Sequence, residues 1–138
     1  MKTRYSLIAL IAALILIIAP SCRRASHNGK IDGFWKIMKM ENKATGQVTE
    51  ITDPKINIAI NLELMQWYGI GPRLTGIISY HKGDSTIGVD FSGCPYTNEH
   101  TLAAYGFTSA KVTFDIVTLD SKHLVLATPE MIYYCDRF

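Results

Sequence analysis

The chain has 138 residues, 48% hydrophobic and 19% charged, with a formal net charge of +2. That length suits one domain, and the composition excludes both a disordered chain and one embedded in a membrane throughout. The charged residues of the first 21, Lys2 and Arg4, are both basic; without that segment 12 basic and 12 acidic residues balance, and the electrostatic footprint of a nucleic-acid binder is missing.

Lys2 and Arg4 form a short positive head, and an uninterrupted apolar run of 13 residues follows over 7–19. A membrane-spanning helix needs ~20 residues, so the run fits the core of an export signal. Export would place the rest of the chain in an oxidising compartment. The run ends in "APSCRRASHNG", residues 19–29. This stretch resembles a bacterial lipobox, in which a small residue, here Ser21, precedes a cysteine that is acylated and becomes the first mature residue. Ala19 and Pro20 depart from the usual aliphatic pattern. The resemblance implies a signal peptide over 1–21, lipidation of Cys22 and a lipid-anchored polar tether over 22–30, with two or more acyl chains for stable anchoring. The tether carries no acidic run, which points to the cell envelope on the periplasmic side of the outer membrane.

From Cys22 on, 117 residues remain, enough for one core. Residues 34–41 form the first β-type run. Over 56–65, Ile56, Ile58, Ile60, Leu62 and Leu64 alternate with Asn57, Ala59, Asn61 and Glu63, the period of a strand with one buried face. Similar runs occupy 74–81, 85–93 (Ile87, Val89 and Phe91 to one side), 111–120 (Val112, Phe114 and Ile116), 123–128 and 131–138. Turn signals at 43–46, 52–55, 68–72, 81–84, 120–122 and 128–130 separate them. The gaps are short, so neighbours should pair as antiparallel hairpins. Residues 94–107 break the pattern: Asn98 as N-cap, Glu99 in the first turn and Gly106 as the stop predict a short helix near 99–105. Seven strands and a helix fit a closed barrel or a small sandwich.

Gly33-Phe34-Trp35, in "DGFWKI" (32–37), resembles the G-x-W that opens the first strand of lipocalins and related calycins. The tail "KVTFDIVTLDSKHLVLATPEMIYYCDRF" (111–138) is similar to the end of lipocalin-like domains in exported Gram-negative lipoproteins, down to a closing Arg-Phe pair. The resemblance spans 31–138 in layout and the two ends in residue identity. It implies an all-β fold, a single antiparallel up-and-down β-barrel of about 7–8 strands with the short helix attached. Gly33, Trp35 and Arg137 would close one end, the cation lying over the indole. It also implies a non-enzymatic protein that binds a small hydrophobic ligand. Trp67, Tyr80 and Phe114, large and at β-type positions, are the candidate lining residues, with 66–72 as either a mouth loop or an ordinary hairpin end. Packing is the first reading of the same three residues, ahead of cavity lining. A filled barrel acting through its surface on an envelope protein or glycan is therefore the alternative function.

Little else carries chemistry. His27, His81, His100 and His123 have no metal-ligand spacing, and H-E-x-x-H, C-x-x-C and G-x-S-x-G are absent from the sequence. "GIGPRLTG" (69–76) lacks the Lys-Ser/Thr of a phosphate loop. Asp53, Asp84 and Asp90 lie in or beside turns, where Asp serves the backbone. No catalytic residue, metal or cofactor is expected. An enzyme would need a site that only folding assembles, such as His81 or His123 beside a carboxylate. Cys94 and Cys135 could bridge after export, closing a loop of ~40 residues for about 4 kcal/mol, or remain buried thiols.

Overall fold

The computed structural model describes residues 26–53 and 55–138. The expected signal peptide (1–21), Cys22 and the first residues of the expected tether lie outside the described residues. Nine strands follow one another: β1 (Gly33–Asn42), β2 (Val48–Glu50), β3 (Asn57–Asn61), β4 (Leu64–Gly69), β5 (Gly71–Ser79), β6 (Thr86–Asp90), β7 (Lys111–Leu119), β8 (His123–Ala127) and β9 (Met131–Arg137). Among the described residues one short α-helix, α1 (Glu99–Ala104), interrupts them between β6 and β7.

Each strand from β3 to β9 pairs antiparallel with the next, and β9 returns to pair with β1. Eight strands thus close an up-and-down barrel. The extra strand, β2, lies end to end with β3 along β1: Lys39 faces Glu50, and Lys36 faces Asn57. Ile51 N donates to Met38 O and Ile37 N to Ile56 O, so the chain leaves β1 and rejoins it within a few residues. Gly69 lies directly beneath this excursion. Its φ is +124°, and a Cβ there would run into the Lys55 carbonyl, so the position admits only glycine.

The alternation of the sequence produces the closure. Ile58, Ile60, Leu74, Ile87, Val89, Phe114, Leu124 and Leu126 all point inward and are buried, while their neighbours, apart from the buried Ala127, face solvent or the half-buried wall. One alternation changes phase. Residues 56–65 were expected as one strand with Leu62 and Leu64 on the buried face. The structure instead turns between β3 and β4 at residues 62–63, and Leu62 takes φ +55°. A two-residue turn swaps the parity of the inward positions. Met65 and Trp67 are therefore buried, while Leu62 and Leu64 are exposed.

Asn98 caps α1, its side-chain oxygen accepting from Thr101 N at 2.9 Å. Gly106, at φ +81°, follows the helix C-terminus. The barrel has two ends. The helix, the β4–β5 turn and the β8–β9 turn share one. The residues before β1, the β3–β4 turn and the end of β9 share the other, called here the closed end. No helix among the described residues is long and apolar enough to cross a membrane.

Candidate functional site

The barrel interior is occupied by aromatic rings. Trp67, fully buried on β4, stacks on Phe114 at 5.7 Å between ring centroids. It meets Phe107 edge-on at 4.9 Å, Tyr133 at 5.0 Å and Tyr105 at 5.8 Å. Offset and edge-to-face contacts at these distances are the favourable ones. Tyr105 and Phe107 come from the stretch after α1. Two hydrogen bonds hold them in the helix end of the barrel: Tyr133 OH donates to Tyr105 O at 2.7 Å, and Tyr105 OH donates to Ile70 O at 3.0 Å. Burial pushes both phenols up from their ordinary range. Of the three expected lining residues, the structure brings Trp67 and Phe114 together. Tyr80 stands apart, half-buried at the β5–β6 turn of the opposite end, with its hydroxyl accepting from Gly83 N.

At the closed end the structure brings Gly33, Trp35 and Arg137 together. The guanidinium carbon lies 4.1 Å from the centroid of the buried Trp35 ring. The same group satisfies three carbonyls. Nε donates to Ser121 O and Nη1 to Asp32 O, each at 2.9 Å, and Nη2 donates to Lys30 O. Gly33 has φ +136°, and a Cβ on it would fall on Nη1; the glycine of the G-x-W is what lets the arginine lie flat. Trp35 Nε1 donates to Ile31 O at 2.9 Å. Asn28, buried inside the expected tether, donates to the Asp32 carboxylate and to Leu62 O at 2.7 Å. Ordered contacts therefore extend several residues ahead of β1.

A family model described as a lipocalin-like domain matches residues 14–138. The chain belongs to the lipocalin-like family. It is similar to the crystal structure of a lipocalin-like protein from Bacteroides uniformis ATCC 8492, at 15% identity and a TM-score of 0.62, over 80% of this chain and all of that one. It is also similar to an uncharacterized protein from Bacteroides eggerthii DSM 20697, at 14% identity and a TM-score of 0.59, over 78% of this chain and 98% of that one. At such identities the likeness shows the fold. No curated protein matches the chain.

Grooves on this lipocalin-like barrel open on the outer wall beside the closed end. One, of about 650 Å³, is lined by Ser26, His27, Phe34 and Leu62 among others. A second, of about 480 Å³, adjoins it and is lined by His27, Leu62, Glu63, Leu64 and Ile77. Sequence reasoning missed this wall because it assigned Leu62 and Leu64 to the interior.

The titratable side chains disperse. His123 Nδ1 lies 2.9 Å from Asp136, its cross-strand partner, and His81 Nδ1 lies 3.5 Å from Asp84; the His81 side chain is exposed and the other three are about half exposed. Asp90 accepts from Ser92 and Asp120 from the Lys122 and His123 amides, which hold both carboxyls below their ordinary range. Among the described residues, no three His, Cys, Asp or Glu side chains could share a metal ion.

Cys94 and Cys135 are both free thiols. Burial, with the Asp136 charge behind it, pushes the Cys135 thiol up. At Cys94 burial acts in the same sense, but hydrogen bonds from the Thr75 and Tyr96 backbone and the Thr97 side chain outweigh it and hold the thiol below its ordinary value. The thiolate is the reactive form. Iodoacetamide on the folded, reduced protein is therefore expected to alkylate Cys94 well ahead of Cys135, which should react only with unfolding. Equal rates, read by peptide mass, would contradict this burial pattern.

Proposed function

We propose that the protein is an exported, lipid-anchored binding protein that works through its outer surface. The observation that carries this reading is the packed interior. Trp67 and the rings around it fill the space where other barrels of this size can hold one small ligand. A small hydrophobic molecule, which the family resemblance implied, would have to displace several buried aromatic side chains to enter. This favours the envelope interaction role over capture inside the barrel. The reading assigns no catalytic step to any residue.

Cys22 supplies the anchor. Its support is the apolar run before it, Ser21 at the small position and a family match that reaches back to residue 14. The polar, non-acidic residues after it favour the periplasmic side of the outer membrane. Two measurements test the proposal. Cys22→Ala is expected to move the protein from the membrane fraction to the soluble one, with loss of the acyl mass. Unchanged partitioning would sink the anchor. Native mass spectrometry of the detergent-free Cys22→Ala chain is expected to give a bare mass. A reproducible apolar adduct that also shifts Trp67 emission would return the ligand to the interior.

A further inference from the structure

The outer wall beside the closed end carries an apolar surface that the proposed anchor alone does not explain. Phe34, Leu62 and Ile77 are 60%, 58% and 63% exposed, and Leu64 is 43% exposed. They form one surface. Phe34 and Leu62 line the first groove, Leu62, Leu64 and Ile77 the second, and Leu64, Ile77 and Tyr96 a third. In the sheet, Leu64 and Ile77 face each other directly across β4 and β5. Contiguous exposed apolar surface rimmed by polar groups marks a contact surface.

Leu62 strengthens the point. Among the described residues it is the one non-glycine with positive φ, at +55°. Asn or Gly would take that conformation more readily, and either would also remove an apolar side chain from water. A leucine that both the backbone and the solvent disfavour points to a contact its side chain makes. Asn28 holds the Leu62 carbonyl, so the turn is fixed to the segment that leads back to Cys22.

That segment identifies the occupant. Cys22 stands four residues before Ser26, which lines the first groove, and His27 lines the first two. Extended chain covers about 3.5 Å per residue, so the acyl-bearing residue stays within about 14 Å of this wall. Arg23 and Arg24, between them, suit anionic headgroups. Tyr96, 54% exposed, has the apolar ring and polar tip of an interfacial side chain. We propose that this wall lies against the lipid bilayer, so that the protein is held in one orientation on the membrane as well as tethered to it. The inference rests on acylation of Cys22.

The test uses the acylated full-length protein, processed and purified from membranes. It is reconstituted into vesicles of phosphatidylethanolamine and phosphatidylglycerol brominated high on the acyl chains. Leu62→Trp reports from the wall. Val117→Trp is the control, because Val117 is 61% exposed on β7, four strands around the barrel from β3. The native Trp35 and Trp67 are fully buried and give a common background. Bromolipid is expected to quench the added emission of Leu62→Trp at least twofold more than that of Val117→Trp. Ile77→Trp serves in its place if Leu62→Trp does not fold. Equal quenching with the acyl mass present would overturn the docked orientation and leave the anchor standing. Absence of the acyl mass would overturn both. Lipid-independent burial of the Leu62→Trp ring, with a doubled mass in solution, would assign the wall to a second copy of the chain and overturn the bilayer contact.

Discussion

Replacing Trp67 with alanine is expected to lower the unfolding free energy by about 3–5 kcal/mol, the range for emptying a buried aromatic site. The expected loss is at the upper end because Trp67 is the hub of the core. Phe114, Phe107, Tyr105 and Tyr133 all touch it, and they come from β7, β9 and the connection after α1. Strands on opposite sides of the barrel cannot collapse inward to fill the gap, since the closed hydrogen-bonded sheet fixes the diameter. The variant should keep an apolar cavity, and an apolar probe such as benzene or xenon should bind there and restore part of the loss. Urea unfolding measures the first effect and a probe-dependent midpoint the second. A loss no greater than that of Val117→Ala on the surface would mean that the interior is not packed around this ring.

How legible this core was in the sequence depends on which residues build it. The strands were legible where inward and outward residues alternate in kind, as in Ile87-Val89-Phe91 and Val112-Phe114. The closed end was legible because a local motif, Gly33-x-Trp35, and a terminal arginine carry it. The turn at 62–63 was not. "NLEL" has no glycine, proline or second asparagine to announce a hairpin, and the alternation of apolar residues runs through it unbroken while the backbone changes parity. β2 was missed because Val48, Thr49 and Glu50 are all exposed, so no buried face imposes a period on them. For Trp67, size and a β-type position fit both cavity lining and packing, with packing the first reading. Whether it faces empty space depends on Tyr105 and Phe107, which enter the barrel from a connection with no strand pattern. A filled interior is a property of long-range packing that no single stretch of this sequence announces.

Arg137→Ala is expected to cost about 2–4 kcal/mol. The variant loses charge-assisted hydrogen bonds to carbonyls that then lack a donor, and such bonds are worth about 1.5–3 kcal/mol each. It also loses the cation over the Trp35 face, worth about 0.5–2 kcal/mol. Partial exposure of the guanidinium and rehydration of the freed Lys30, Asp32 and Ser121 carbonyls keep the total below the sum of its parts. Arg137→Lys should recover less than half of the loss, because an ammonium cannot reach three carbonyls in divergent directions while stacking on an indole. Denaturation followed by the emission of Trp35 reads both variants. A change within about 0.5 kcal/mol for the alanine variant, the span of ordinary surface substitutions, would demote the arginine to an incidental neighbour of the tryptophan.

The β1–β9 pairing that completes the barrel also sets the order in which the molecule can form. Arg137 bonds to a carbonyl 105 residues earlier, and β9 is the last strand among the described residues. Every other pairing around the ring joins strands close in sequence, so hairpins can assemble as the chain emerges. The ring itself stays open until the final strand is available, and until then both edges and the apolar interior face water. Such a distant contact forms slowly, because loop closure comes before any reward. Before β9 pairs with β1 the strands form a curled open sheet, and it is then most vulnerable to sticking to other chains. Trp35 waits in β1 without its cation until β9 pairs, which makes the closing contact a late event.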